Sequence, residues 1–138
     1  MKINEITDKV IGCAIKVHRK LGPGFLESVY QAALAYELTK IGISYEKEKE
    51  LPVKYEDIIL EIGFRCDFLI ESSVIVECKA VKELNQIDHA QLLNYLKITN
   101  MQAGLLINLA HSGILGMISF NILTAEGAEK RRVNKRIY

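Results

Sequence analysis

Apolar residues recur at helical spacing over residues 4–21, with Val10, Ala14, Val17, His18 and Leu21 on one side. Asn4 or Thr7 offers an N-cap, and Gly22-Pro23 stops the segment. A second helix is predicted from about Leu26 to Ile41. Leu26, Val29, Tyr30, Ala33, Leu34, Glu37, Leu38 and Ile41 are spaced for burial, and Gly42 suits its C-terminal cap. The tight Gly22-Pro23-Gly24 turn implies that the two helices pack against or cross each other.

From Ile43 the pattern takes on strand character. Tyr45 to Tyr55 reads as a strand, placed at a sheet edge by Pro52, and its charged run Glu46 to Glu50 as a solvated face. Ile58 to Ile62 is another short strand. Phe64 to Ile70 and Val74 to Lys79 flank the polar break Glu71-Ser72-Ser73, which is a hairpin signal. Gln86 to Thr99 reads as a helix, followed by apolar strands at Ala103 to Leu109 and Ile114 to Ile122. Thr124 to Arg132 is small and charged with no apolar face, so it is expected to be a polar insert or loose helix. Val133 to Tyr138 then returns as a strand or stays a basic tail. The order ααββββαββ predicts an α/β fold, a central mixed β-sheet flanked by helices.

Length and composition narrow the function classes. The 138 residues suit a single domain over 1–138, and 49% hydrophobic with 25% charged residues is ordinary for a soluble globular protein. A net charge of +1 gives no global field toward nucleic acid or anionic membrane, so a polyanion must be held by a local patch or through a metal. Apolar runs such as Ala103 to Ile107 are too short to span a bilayer, and the N-terminus lacks a signal-peptide apolar region. Cys13, Cys66 and Cys78 have no metal-type spacing and sit in apolar surroundings. They read as reduced core thiols of a cytoplasmic protein.

The chemistry concentrates in the hairpin. With a three-residue loop at 71–73, Ile70 faces Val74 and Asp67 falls opposite Glu77, while Lys79 shares the face of Glu77. Facing carboxylates repel, more so when buried, unless a cation sits between them. That cation is a metal or the lysine. A hard divalent ion takes carboxylate oxygens, and the bland alternative is a buried Lys79 ion pair. Glu27 lies in the first turn or two of the second helix with Tyr30 on the same face, either as a ligand or as a carboxylate favoured by the helix dipole. Gln91 and Tyr95 lie one turn apart on the third helix, beside Asp88. His18 reads as a core or capping histidine that could also reach a phosphate. Basic clusters at Lys16, Arg19 and Lys20, and from Lys130 to Arg136, could track a phosphate backbone but are more simply solvated.

These residues resemble a known family. Gly24-Phe25-Leu26-Glu27-Ser28-Val29-Tyr30 matches the naming motif of the GxxExxY family, small prokaryotic proteins of the PD-(D/E)XK nuclease superfamily. Val17 to Pro23, Asp67, Glu77-Cys78-Lys79 with Ala80-Val81, Gln91 to Leu96, Gly104 to Asn108 and Lys135-Arg136-Ile137 match as well. The resemblance implies a restriction-endonuclease-like core. It implies that Glu27, Asp67 and Glu77 bind metal (Mg²⁺ or Mn²⁺), that Lys79 completes the (D/E)xK pair, and that Gln91 and Tyr95 form a QxxxY element. The expected activity is metal-dependent phosphodiester hydrolysis of nucleic acid, DNA before RNA, away from any membrane. A non-catalytic nucleic-acid-binding or protein-interaction module that keeps the fold is the alternative, and a homodimer that completes the groove a further one.

Overall fold

Two helices lead the chain in the computed structural model, which describes residues 1–82, 84–101, 103–109, 117–124 and 129–136. α1 (Ile3–Leu21) buries Ile6, Val10, Ala14, Val17 and His18 along one stripe. Neither Asn4 nor Thr7 caps it. Lys2 holds the N-cap position without a side-chain bond, and the Thr7 hydroxyl donates to the Asn4 carbonyl. α2 (Glu27–Lys40) packs through Tyr30, Leu34, Ala35 and Leu38. Leu26, Val29 and Ile41, expected in the core, are exposed because that narrower stripe already covers the sheet. Glu37 is buried against α1 and paired with Lys16 and Lys40 at 3.3 and 3.4 Å. Gly42 ends α2 as expected, at a φ of 76°.

The remaining strands and helix are β1 (Tyr45–Leu51), β2 (Lys54–Tyr55), β3 (Ile58–Ile59), β4 (Phe64–Ile70), β5 (Val74–Lys79), α3 (Gln86–Thr99), β6 (Ala103–Asn108), β7 (Met117–Thr124) and β8 (Glu129–Arg136). Among the described residues they form a mixed six-stranded sheet in the order β1-β4-β5-β6-β7-β8, and a separate β2-β3 ribbon. Among the described strands only β5 and β6 run parallel, and α3 is their crossover. The α/β architecture follows the expectation, with three differences. The strand expected over 45–55 breaks at Pro52, which donates no ladder bond, and its end joins β3 in the small ribbon. Residues 60–62 lie outside β3. Thr124 closes β7 and Glu129–Arg132 belong to β8, so these positions continue the sheet where a polar insert or loose helix was expected. The sequence pattern missed this because an edge strand has few apolar positions to show. The part of the Ile114–Ile122 strand before Met117 lies outside the described residues.

Each face of the sheet has its own core. α1 and α2 cover Phe68, Ile70, Val74, Val76, Cys78, Leu105 and Ile107. On the other face, α3 covers Phe64, Cys66, Leu69, Ile75 and Leu106 through Leu92 and Leu96. Ala90 and Ile98, expected to pack, are exposed. Gly104 allows the close approach of α3: a Cβ there would stand 3.1 Å from Leu92. All three cysteines are free and buried, and burial pushes the Cys66 thiol up to about 12. No helix among the described residues is long and apolar enough to cross a membrane.

Candidate active site

The site begins where the β4–β5 ladder opens. Ile70 pairs with Val74, Leu69 with Ile75 and Phe68 with Val76, which is the register of a three-residue loop. One step further, Asp67 and Glu77 stand opposite each other, and side chains replace the backbone pairing. Glu77 Oε1 accepts the Asp67 N–H at 3.1 Å, and Asp67 Oδ2 accepts the Cys78 N–H at 2.8 Å. The β1–β4 register also skips here, passing over Glu48 and Asp67, with Glu48 at a φ of 52°. Cys66 and Phe68 consequently pack on opposite faces although two apart, an irregularity of the kind that re-aims side chains.

Burial and like charge act together on the carboxyls. Glu77 is pushed up to about 8, by burial first and then by Asp67, with Glu27 adding to the rise. Asp67 is raised by burial, against the Cys78 N–H bond and the cations Lys79 and Lys47. Glu27 is raised by burial and by Asp67, against Lys79 and the amide of Gln31, which donates to it at 3.2 Å. These mutual influences place Glu27, Asp67, Glu77 and Lys79 in one neighbourhood. Lys47 and Glu48 act on Asp67 too. Their charge alternation had read as a plain solvated face, and no sequence signal marked the backbone kink that brings them near.

Glu27 owes its place to the turn before it. Gly24 takes a φ of 106°, and buried Tyr30 donates its hydroxyl to the Gly22 carbonyl while accepting the Phe25 N–H at 3.2 Å. One tyrosine thus ties the turn to the helix whose first residue is Glu27. The spacing from Gly24 through Glu27 to Tyr30 makes physical sense as turn, acid and tether.

On the α3 face, Glu77, Lys79, Gln91 and Tyr95 line a cleft of roughly 290 Å³ with Phe64, Arg65, Asp88 and Leu106. Four of the six candidate residues therefore share one wall system. Asp67 adjoins it through the Glu77 bond, and Glu27 approaches from the α2 side. Tyr95 stacks on Phe64 with ring centres 3.8 Å apart, and Asp88 is engaged in a capping box with Asn85. His18 is buried with Nδ1 on the Leu109 carbonyl, so it serves the core. Asn108, given no role of its own in the sequence beyond ending the Gly104 to Asn108 match, is fully buried beside the end of β5.

A hard divalent cation suits this donor set by chemistry. The ligands are oxygens, and burial with mutual repulsion leaves them in need of positive charge. Among the described residues, no group of three or more His, Cys, Asp or Glu stands close enough together to hold a metal ion. Mg²⁺ needs only one or two carboxylates beside water and phosphate, which the Asp67–Glu77 pair can provide.

Comparison with known families agrees with this fold. Residues 4–118 match the model of a PD-(D/E)XK nuclease superfamily family, so the chain belongs to that superfamily. Nucleases of this superfamily generally use divalent metals and act on nucleic acid. No curated protein and no solved structure matches the chain.

Proposed function

We propose that the chain is a metal-dependent phosphodiester hydrolase acting on nucleic acid, DNA in preference to RNA, in the GxxExxY branch of its superfamily. One juxtaposition supports this above all: two carboxylates engaged across β4 and β5, with Lys79 beside Glu77 on the cleft wall. Asp67 and Glu77 would hold Mg²⁺ or Mn²⁺, with Glu27 bound directly or through water. Such an ion, when bound, stabilises charge on phosphoryl oxygens and makes a bound water more acidic. Lys79 Nζ orients the attacking water and offsets the negative charge that grows as its oxygen bonds to phosphorus. The ester P–O bond breaks and the leaving oxygen takes up a proton. Gln91 and Tyr95 orient the cleft side of the site or contact a phosphate.

The test is nicking of plasmid, single-stranded DNA and RNA with Mg²⁺ or Mn²⁺, beside Glu77→Ala and Lys79→Ala. Loss of either group is expected to lower kcat on the order of 100-fold or more. Variants that cleave like wild type, or an absence of cleavage with any divalent ion, refute the enzyme reading.

A non-catalytic binding module is favoured by a separate observation: no carboxylate trio is gathered at ligand spacing among the described residues. Calorimetry with Mn²⁺ separates the two readings. A catalytic site binds the ion weakly and loses it in Asp67→Asn, whereas a scaffold binds none. Sedimentation tests whether a homodimer completes the groove.

A further inference from the structure

β5 ends at Lys79, and its parallel ladder with β6 changes character one step later. Lys79 lies opposite Asn108, and its carbonyl accepts the Leu109 N–H at 2.9 Å, the regular parallel bond. By the same spacing, the next donor on this edge, Val81 N–H, would meet the Leu109 carbonyl. That carbonyl is turned toward α1 instead, where it bonds Nδ1 of buried His18. A carbonyl only accepts, so Nδ1 carries the proton. Asn108 fills the gap with its own side chain. Its Oδ1 accepts the Val81 N–H at 3.2 Å, and its Nδ2 donates to the Val81 carbonyl at 2.7 Å.

A primary amide offers one donor and one acceptor side by side, as a peptide group does. The fully buried Asn108 amide needs partners for its donor and its acceptor, and it finds one for each in the backbone of Val81, whose side chain is exposed. We propose that Asn108 is a positioning residue for Lys79, its amide standing in for a β6 backbone unit to fix the chain where it leaves β5. The same clamp sets the start of the segment leading to α3, which carries Gln91 and Tyr95. His18 contributes by drawing the competing carbonyl away. This role rests on Lys79 serving the hydrolysis proposed above.

The test compares Asn108→Leu and Asn108→Asp with Ile6→Ala, a buried α1 variant more than three helical turns before His18, each assayed well below its own Tm. Leucine removes both partners of Val81. Aspartate keeps the acceptor but faces the Val81 carbonyl with a second oxygen. Displacing a reacting group by about 1 Å costs on the order of 100-fold, so kcat should fall 10- to 100-fold in both Asn108 variants with KM nearly unchanged. Amide exchange at Val81 should quicken, and the Lys79 NMR signals should shift. A kcat loss no larger than that of Ile6→Ala, or an unchanged Val81 amide, overturns the proposal. If wild type cleaves nothing, the hydrolase reading fails, and the Val81 and Lys79 signals alone decide whether Asn108 sets this segment.

Discussion

Asp67 and Glu77 hold each other's strand: each places a carboxylate oxygen on a backbone N–H across the β4–β5 gap, Glu77 on Asp67 itself and Asp67 on Cys78. Repulsion between the two acids is offset by these bonds, which satisfy donors that the opened ladder leaves behind. Among the described residues neither of these two partly buried acids is paired directly to a cation.

Removing the Asp67 side chain should cost more than neutralising it. Asp67→Asn keeps an oxygen for the Cys78 N–H, while Asp67→Ala leaves that donor unsatisfied. The alanine variant is expected to be less stable than the asparagine variant by about 1–3 kcal/mol in urea unfolding at pH 7. Equal midpoints would show that the Cys78 bond contributes nothing.

Stability should fall as pH rises. The Glu77 carboxyl lies above its ordinary 4.5, at about 8, so the folded state holds a proton that the unfolded chain releases earlier. The stabilisation is complete below pH 4.5 and declines through about pH 8, above which both states are ionised. Asp67 and Glu27 are raised as well and act in the same direction. Tm of the metal-free protein should therefore drop between pH 5 and pH 8, and Glu77→Gln should flatten the profile. A Tm rising over that interval in wild type contradicts this electrostatic picture.

Metal and proton compete for the same oxygens. Mn²⁺ affinity should increase with pH up to about 8 and level off above it, with proton release on binding, measured by calorimetry in buffers of different ionisation enthalpy. An affinity independent of pH would place the ion elsewhere.

Tyr30→Phe tests the tether. Losing the hydroxyl leaves the Gly22 carbonyl and Phe25 N–H without that partner, for a cost of about 1 kcal/mol. Because the turn fixes the start of α2, cleavage should fall by more than this stability loss explains. Unchanged activity would mean that Glu27 is placed by other contacts.

Gly104→Ala tests the seat of α3. A methyl there meets Leu92 at 3.1 Å, so overpacking should cost about 1–3 kcal/mol. It should also displace Gln91 and Tyr95 from the cleft, which NMR shifts of the stacked Tyr95 ring can report. No change in either property would indicate that Leu92 repacks freely.

Much of this protein was legible in the chain itself. The polar break Glu71-Ser72-Ser73 between two apolar runs marked the hairpin, and the pairing of Ile70 with Val74 gives it the register of a three-residue loop. The helix read over Gln86 to Thr99 has the bounds of α3, and the Asn85 cap that starts it came to light in the fold. Gly24, Glu27 and Tyr30, with Asp67, Glu77 and Lys79, carried the family in their spacing. Tertiary structure decided what spacing cannot encode. The kink at Glu48 and Asp67 depends on two strands yielding together, so neither strand's alternation foretold it. Glu129–Arg132 became an edge strand through pairing with β7, against a local composition that favoured no sheet. The bonds of Asn108 to Val81 accompany a Leu109 carbonyl turned to His18, a contact across 91 residues. Local pattern sets which residues can be buried; which oxygen meets which N–H is settled by packing between distant segments. The hairpin's carboxylates were visible in sequence, and their hold on each other's backbone came from the fold.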